Sequence, residues 1–214
     1  MKYWAIFGLF LIIAGSVSCK KTDDLPPVLT LKGDTLVSHI LNTTYVDQGA
    51  TATDETDGNL NSEIFIDNAV NEDLVGEYTV TYKVLDKAGN EAAPVSRTVQ
   101  VYNQGWIYMG AYHLSESETF TGSDTCSYDI IVGADSSLNY RLNFSDFVCQ
   151  YGHQVFADVI DTTIIIPFQL LSDTIPVISV QGSGIINDTI IQLEYTRKVN
   201  NEPFYWKAAL IRLQ

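Results

Sequence analysis

From Val28 onward apolar and polar residues alternate one by one, in short runs separated by turn residues, and this period of two predicts β-strands rather than helices. The best-marked strand is 77–85, where Tyr78, Val80, Tyr82 and Val84 share one face and Thr79, Thr81 and Lys83 the other. The turn Asp86-Lys87-Ala88-Gly89-Asn90 closes it, and 95–102 returns with Val95, Val99 and Val101 on one face. Arg97 falls on that same apolar face and therefore requires a partner or a sheet edge. Residues 28–31 read as a further short strand. Beyond Asn103-Gln104-Gly105 a second β unit begins, its first strand over 105–114 carrying Trp106, Tyr108, Gly110 and Tyr112 on one side. Later strands are predicted at 126–132, 138–145, 154–160, 162–166, 177–181, 188–197 and 203–213, roughly eight in all. The pattern implies an all-β chain: a sandwich, then an antiparallel meander that closes as a small barrel or folds as a second sandwich. The division is 27–103 and 104–214.

Ahead of the strands stands a different pattern. Lys2 precedes an apolar run from Tyr3 to Ala14 broken by Gly8, and Gly15-Ser16-Val17-Ser18 leads into Cys19. This is the layout of a secretory signal, residues 1–18, with a run shorter than the ~20 residues that a spanning helix needs. The small residues before Cys19 resemble a bacterial lipobox, which implies a diacylglycerol thioether on Cys19 and an acylated new amino terminus. Two or more acyl chains hold a protein on a membrane without a helix. Residues 19–26, with Lys20, Lys21, Asp23 and Asp24 ahead of Pro26, read as a solvated tether. The run from Cys19 to Asp24 also resembles the charged signals of surface-displayed lipoproteins, which places the chain on the outer membrane, at the cell surface or facing the periplasm.

The formal net charge is −14, one more negative once Lys2 leaves with the signal. That balance excludes nucleic acid and anionic lipid as electrostatic partners. With Cys19 lipidated, Cys126 and Cys149 remain, and in an exported protein they read as a disulfide, with two buried thiols as the alternative.

Several separated motifs, Tyr45-Val46-Asp47-Gln48-Gly49-Ala50, Asp54-Glu55-Thr56-Asp57-Gly58-Asn59, Val75-Gly76-Glu77-Tyr78 and the 86–90 turn, resemble the bacterial Ig-like family named after a pesticidal crystal protein. The resemblance implies a seven-stranded sandwich used as a spacer or adhesion module. Leu142-Asn143-Phe144, Val155-Phe156-Ala157-Asp158-Val159, Ile164-Ile165-Ile166-Pro167-Phe168-Gln169 and Gln181-Gly182-Ser183-Gly184 resemble C-terminal domains of glycan-locus lipoproteins from glycan-foraging Gram-negative bacteria.

No phosphate loop, Gly-x-Ser-x-Gly elbow or His-Glu-x-x-His occurs, so the expected protein is not an enzyme and needs no cofactor. Gly182-Ser183-Gly184 reads as a turn or bulge. Asp54, Asp57 and Asn59 offer oxygen ligands at calcium-like spacing, but Asp-Gly-Asn is also tight-turn chemistry, and the turn is the expectation, with no metal site. Aromatics concentrate in the second unit: Trp106, Tyr108, Tyr112, Tyr151, Phe204, Tyr205 and Trp206. Sugar rings stack on such side chains, and Trp106, Tyr108, Tyr151 and Trp206 are the candidate ligand contacts. Aromatics at period two are equally the core of a sheet. The expected role is a surface lipoprotein that assists polysaccharide or oligosaccharide capture. The alternative is an assembly subunit beside an outer-membrane transporter or another surface lipoprotein.

Overall fold

A computed structural model describes residues 22–120, 124–149, 152–187 and 189–214; the signal segment, Cys19 and Tyr151 lie outside the described residues. The chain is all-β, as its alternation requires.

The first unit has seven strands in two sheets. They are β1 (Val28–Leu31), β2 (Leu36–Ile40), β3 (Ala50–Asp54), β4 (Gly58–Asn59), β5 (Phe65–Asn68), β6 (Gly76–Lys83) and β7 (Val95–Tyr102). One sheet runs β1-β3-β4 and the other β2-β7-β6-β5, with β2 parallel to β7 and the remaining pairs antiparallel. Val80, Tyr82 and Val84 are buried between them, opposite Leu29, Ala52 and Leu60, as the alternation from Tyr78 predicts. The 86–90 turn is tied by its own side chains: both Asp86 oxygens accept from Asn90, one from its N–H at 2.8 Å and one from its amide at 2.7 Å.

Arg97 is fully buried and paired. Its Nη1 donates to Asp47 Oδ1 at 2.7 Å, its Nε to the Asp34 carbonyl at 3.0 Å and its Nη2 to the Lys32 carbonyl. The Tyr82 hydroxyl donates to the other Asp47 oxygen, and the Tyr45 hydroxyl to Oδ1 at 3.1 Å. A charge that would cost several kcal/mol alone is thus compensated on every side. Burial, with Asp47 adding to it, pushes the Tyr82 phenol well above its ordinary range.

The second unit is an eight-stranded antiparallel barrel. Its strands are β8 (Gly110–Glu118), β9 (Thr125–Ala134), β10 (Arg141–Phe147), β11 (His153–Ile160), β12 (Thr163–Ser172), β13 (Ile178–Ile186), β14 (Ile190–Val199) and β15 (Glu202–Arg212). Each pairs with the next, and β15 returns to β8, from Trp206 opposite Glu118 to Arg212 opposite Tyr112. Closure removes the exposed edges that an open meander would carry. Inward side chains, among them Tyr112, Leu114, Phe144, Phe147, Ile164 and Leu210, form one core.

Three local features differ from what the sequence pattern predicts. Residues 104–108 form a 3-10 turn rather than the start of a strand, because Asn103 caps it: its Oδ1 accepts from Gly105 N at 2.7 Å. Strand β12 continues through Pro167 by a bulge between Ile166 and Gln169. There the Gln169 side chain takes over the ladder to β11, accepting from Phe156 N at 2.9 Å and donating to Phe156 O at 2.7 Å. Gly182-Ser183-Gly184 is neither turn nor bulge; it lies in β13 in unbroken register with β14. A Cβ on Gly184 would meet the Gln192 carbonyl oxygen at 1.8 Å, so glycine permits a close approach of the two strands.

A disulfide joins Cys126 to Cys149 with Cα atoms 6.1 Å apart. It lies past the end of the β9–β10 ladder, which covers Val132 to Ala134 of β9, and so ties strands that have diverged.

The two units meet through hydrogen bonds. Asn103, almost fully buried, donates to the carbonyls of Asp135 at 2.9 Å and Leu138 at 2.8 Å, and accepts from Gly105 N and Tyr140 N. Asn42 of the first unit donates to Ser137 O and accepts from Asn139 N, and Val75 N donates to Ser136 O at 2.8 Å. Every hydrogen-bonding position of the Asn103 amide is used. Asn103→Ala would leave several of those backbone groups without a partner, and a loss of at least about 2 kcal/mol is expected. Denaturant unfolding of the mature chain checks it; an unchanged midpoint would contradict the role given to Asn103.

Candidate functional site

Parity within the barrel decides which aromatics reach solvent. On β15, Trp206, Ala208 and Leu210 point inward, so Tyr205 and Lys207 point out. On β14, Tyr195 and Leu193 are inward, leaving Glu194 and Thr196 outside. Gln181 and Ser183 of β13 lie outside by the same rule. The strand order β12-β13-β14-β15-β8 sets these positions side by side over an open groove of about 720 Å³. Phe168 (64% exposed) stands on the β12 side and Phe120 (79%) and Tyr205 (44%) on the other.

Phe120 is held rather than loose. Thr119 donates twice to the Tyr205 carbonyl, from its N–H at 2.8 Å and its hydroxyl at 3.0 Å. Phe120 N donates to the buried Glu118 carboxylate at 2.9 Å. The Phe120 ring consequently meets Tyr205 with centroids 5.3 Å apart, tilted by 58°. Across the floor, Lys207 Nζ and Glu194 Oε1 form an ion pair of 2.9 Å, both well exposed and therefore weakly coupled. The same pair borders a second depression of about 550 Å³, lined by Ser115, Ser117, Gln192 and Ala209. Aromatic rings flanking amide, hydroxyl and ion-pair groups can stack on a flat apolar face and hydrogen-bond its polar rim.

The residues expected from the sequence do not converge. Trp106 is 58% exposed, but it sits in the 3-10 turn at the end of the barrel nearest the first unit. Tyr108 is half-buried against the barrel core, its carbonyl accepting from the Tyr112 hydroxyl at 2.9 Å. Trp206 is among the residues that line the groove, but it is 2% exposed, its ring inside the barrel under the Arg197 guanidinium at 4.2 Å and beside Tyr195. The nine residues of β8, roughly 30 Å of strand, separate Trp106 from Phe120. Tyr205, next to the expected Trp206, and Phe120 and Phe168, which no alternation marked, make the groove.

Beneath the groove lies a buried polar group. Glu116 accepts from the Tyr195 hydroxyl and, at 3.0 Å, from Cys149 N, while Arg197 donates to Cys149 O at 3.2 Å. Burial raises the Glu116 carboxyl above its ordinary range, against the opposing hydrogen bonds and the charge of Arg197.

Two other constellations have site-like composition. His113 bridges Asp129 (Nδ1 to Oδ1, 2.7 Å) and Ser127 (Nε2 to Oγ, 2.8 Å), the order of a hydrolase triad. It stands on the open outer sheet, His113 and Asp129 both solvent-exposed, whereas triad chemistry works in a water-excluded site with oxyanion donors. In the first unit, Asp54 Oδ1 accepts from the N–H groups of Thr56 and Asp57, Asn59 Oδ1 from Asn61 N, and Asp57 from Lys87 N and Nζ. The Asp54 and Asn59 bonds are turn chemistry, whereas the Asp57 bonds reach the 86–90 turn and hold the Asp57 carboxyl below its ordinary range, the Lys87 N–H contributing most. Carboxylate oxygens of Asp23, Asp54 and Asp57 lie within 4.8 Å of one another.

Residues 29–101 match the family described as bacterial surface protein, Ig-like domain. The first unit is thus similar to bacterial surface Ig-like domains; the match does not extend to the barrel. No curated protein matches the chain. Among solved structures, a lipoprotein from Bacteroides thetaiotaomicron is similar at 14% identity, over 87% of this chain and 100% of that one, with a TM-score of 0.36. The CBM51-2 and INT domains of ZmpB from Clostridium perfringens, in complex with GlcNAc, are similar at 15% identity, over 86% of this chain and 44% of that one, TM-score 0.29. The same domains without the sugar give 15% identity, 85% and 43% coverage and a TM-score of 0.28. This chain spans less than half the length of the ZmpB structures.

The raised Glu116 carboxyl makes barrel stability depend on pH. A folded value above the unfolded one means that stability is full below the ordinary glutamate range and falls as pH climbs through the raised folded value. In Glu116→Gln that fall is expected to vanish. Thermal melts of both proteins across the acidic range check it, and parallel curves would contradict it.

Proposed function

We propose that this protein is a lipid-anchored, non-catalytic surface lipoprotein whose barrel captures glycans while the Ig-like unit acts as a spacer. The observation that carries the reading is the outer groove, with exposed rings of Phe120, Tyr205 and Phe168 beside Gln181, Ser183, Thr196 and Lys207. Sugars present apolar C–H faces rimmed by hydroxyls, which is the complement of that lining. Its charged groups, Glu194 and Lys207, are both well exposed on an open surface, a setting that favours binding over acid–base work. The lipobox-like run before Cys19, together with the surface class of the Ig-like unit, supports the anchor. Stacking contributes about 0.5–1.5 kcal/mol per ring, so millimolar to micromolar affinity is expected.

Two measurements test the reading. In a Gram-negative host, palmitate label is expected in the wild type and absent from Cys19→Ala; equal labelling would refute the anchor. In affinity gels cast with a panel of polysaccharides, the mature chain is expected to be retained by at least one polymer, with retention lost in Tyr205→Ala. Failure of every polymer to retain it would overturn glycan capture, and hydrolysis of the retaining polymer would overturn the non-catalytic role.

A further inference from the structure

We infer that the barrel takes an extended, uncharged oligosaccharide laid across two adjoining depressions, with the Lys207–Glu194 pair at the crossing; this deepens the glycan reading above and rests on it. Glu194 and Lys207 line both depressions, so the two are one trough along the outer faces of β14 and β15. Its ends are chemically unlike. The first holds the Phe120–Tyr205 ring pair, which is a stacking position. The second is lined by Ser115, Ser117, Gln192, Ala209 and the exposed Ile185, which offer hydroxyl and amide groups beside an aliphatic side chain but no ring. From Tyr205 to Ala209 alone the strand runs about 13 Å, longer than a single sugar ring, so the trough suits a chain of sugars stacked at one end and hydrogen-bonded along the rest.

Charge selects against acidic polymers. Lys207 is the one cation among the described residues that line the trough and stands 2.9 Å from Glu194, so an anionic unit would have to compete with that carboxylate, and the chain around it carries a formal −14. A polyanion would meet that field at every unit of its length. A neutral chain would instead displace an exposed ion pair that contributes little to stability, the ammonium and carboxylate turning to sugar hydroxyls.

The test uses the full mature chain and polymers matched in backbone: hydroxyethylcellulose against carboxymethylcellulose, dextran against dextran sulfate, and methyl-esterified against de-esterified pectin. Affinity gels identify a retaining neutral polymer, and its oligosaccharides of increasing length then serve as competitors. Retention by the neutral member of a pair, insensitive to salt, is expected, together with affinity that grows from disaccharide to longer oligosaccharides. Tyr205→Ala should weaken every length about tenfold, the equivalent of one stacking contact. Ala209→Trp, which fills the second depression from an outward position, should weaken the long oligosaccharides several-fold and spare the disaccharide. Gln192→Trp provides the same block from β14 should Ala209→Trp fail to fold, as judged by its melt. Equal or better retention by the charged member of the pair overturns the inference. So does a binder that depends on Tyr205 yet ignores both length and the tryptophan blocks, although glycan capture itself then stands. If no polymer retains the wild type, both fall together.

Discussion

The register in which β15 closes the barrel against β8 is the constraint on which the site depends. With Trp206 opposite Glu118 and Tyr195, the odd positions of β15 can only face outward. Since side chains alternate along a strand, a slip of one residue would bury Tyr205 and Lys207 and expel Trp206. The core prevents that slip, because Trp206, Ala208 and Leu210 are all packed inside with Tyr195 and Leu193. The outer groove is therefore a by-product of how the inner face is filled, and the Thr119 bonds to the Tyr205 carbonyl then add Phe120 to it.

Polar groups fix what hydrophobic burial leaves free. In the Ig-like unit Asp47 gathers Arg97, Tyr82 and Tyr45 into one buried network that joins the β7 strand to the 32–47 segment. In the barrel Glu116 and Arg197 hold the N–H and carbonyl of Cys149, so the disulfide and the polar interior secure the same point. At the junction Asn103 and Asn42 bind the backbone of residues 135–140. The buried ones among these side chains, Arg97, Glu116, Arg197 and Asn103, are costly to bury alone, so their pairing specifies one arrangement.

Much of the fold was legible because its signal is local. The alternation from Tyr78 to Val84, the self-bonded turn at 86–90 and the need of Arg97 for a partner can all be read from short stretches, while the pairing of Cys126 with Cys149 follows from export and the count of remaining cysteines. Strands β2 to β5 escaped, being short, and β5 lies at a sheet edge with every residue exposed and therefore has no period to read. The turn at 104–108 imitates a strand in its aromatic spacing, and the Asn103 cap that breaks the pattern depends on partners more than thirty residues away. Glu116 faces inward against its polarity, because its hydrogen-bonding partners, the Tyr195 hydroxyl and Cys149 N, come from a distant strand and loop. The candidate site was legible in kind but not in position. Aromatic enrichment points to the barrel, while the choice between Trp206 and its neighbour Tyr205 is a matter of parity, fixed by packing across the barrel rather than by the 203–213 run itself.

The central claim is that the outer faces of β13, β14 and β15, with Phe120, form the ligand surface. Titration of the isotope-labelled mature chain with a retained neutral oligosaccharide, followed by amide chemical shifts, tests it most directly. The account predicts the largest shifts at Phe120, Gln181, Thr196, Tyr205 and Lys207. Shifts centred on Trp106 to Met109, or within the Ig-like unit, would contradict it.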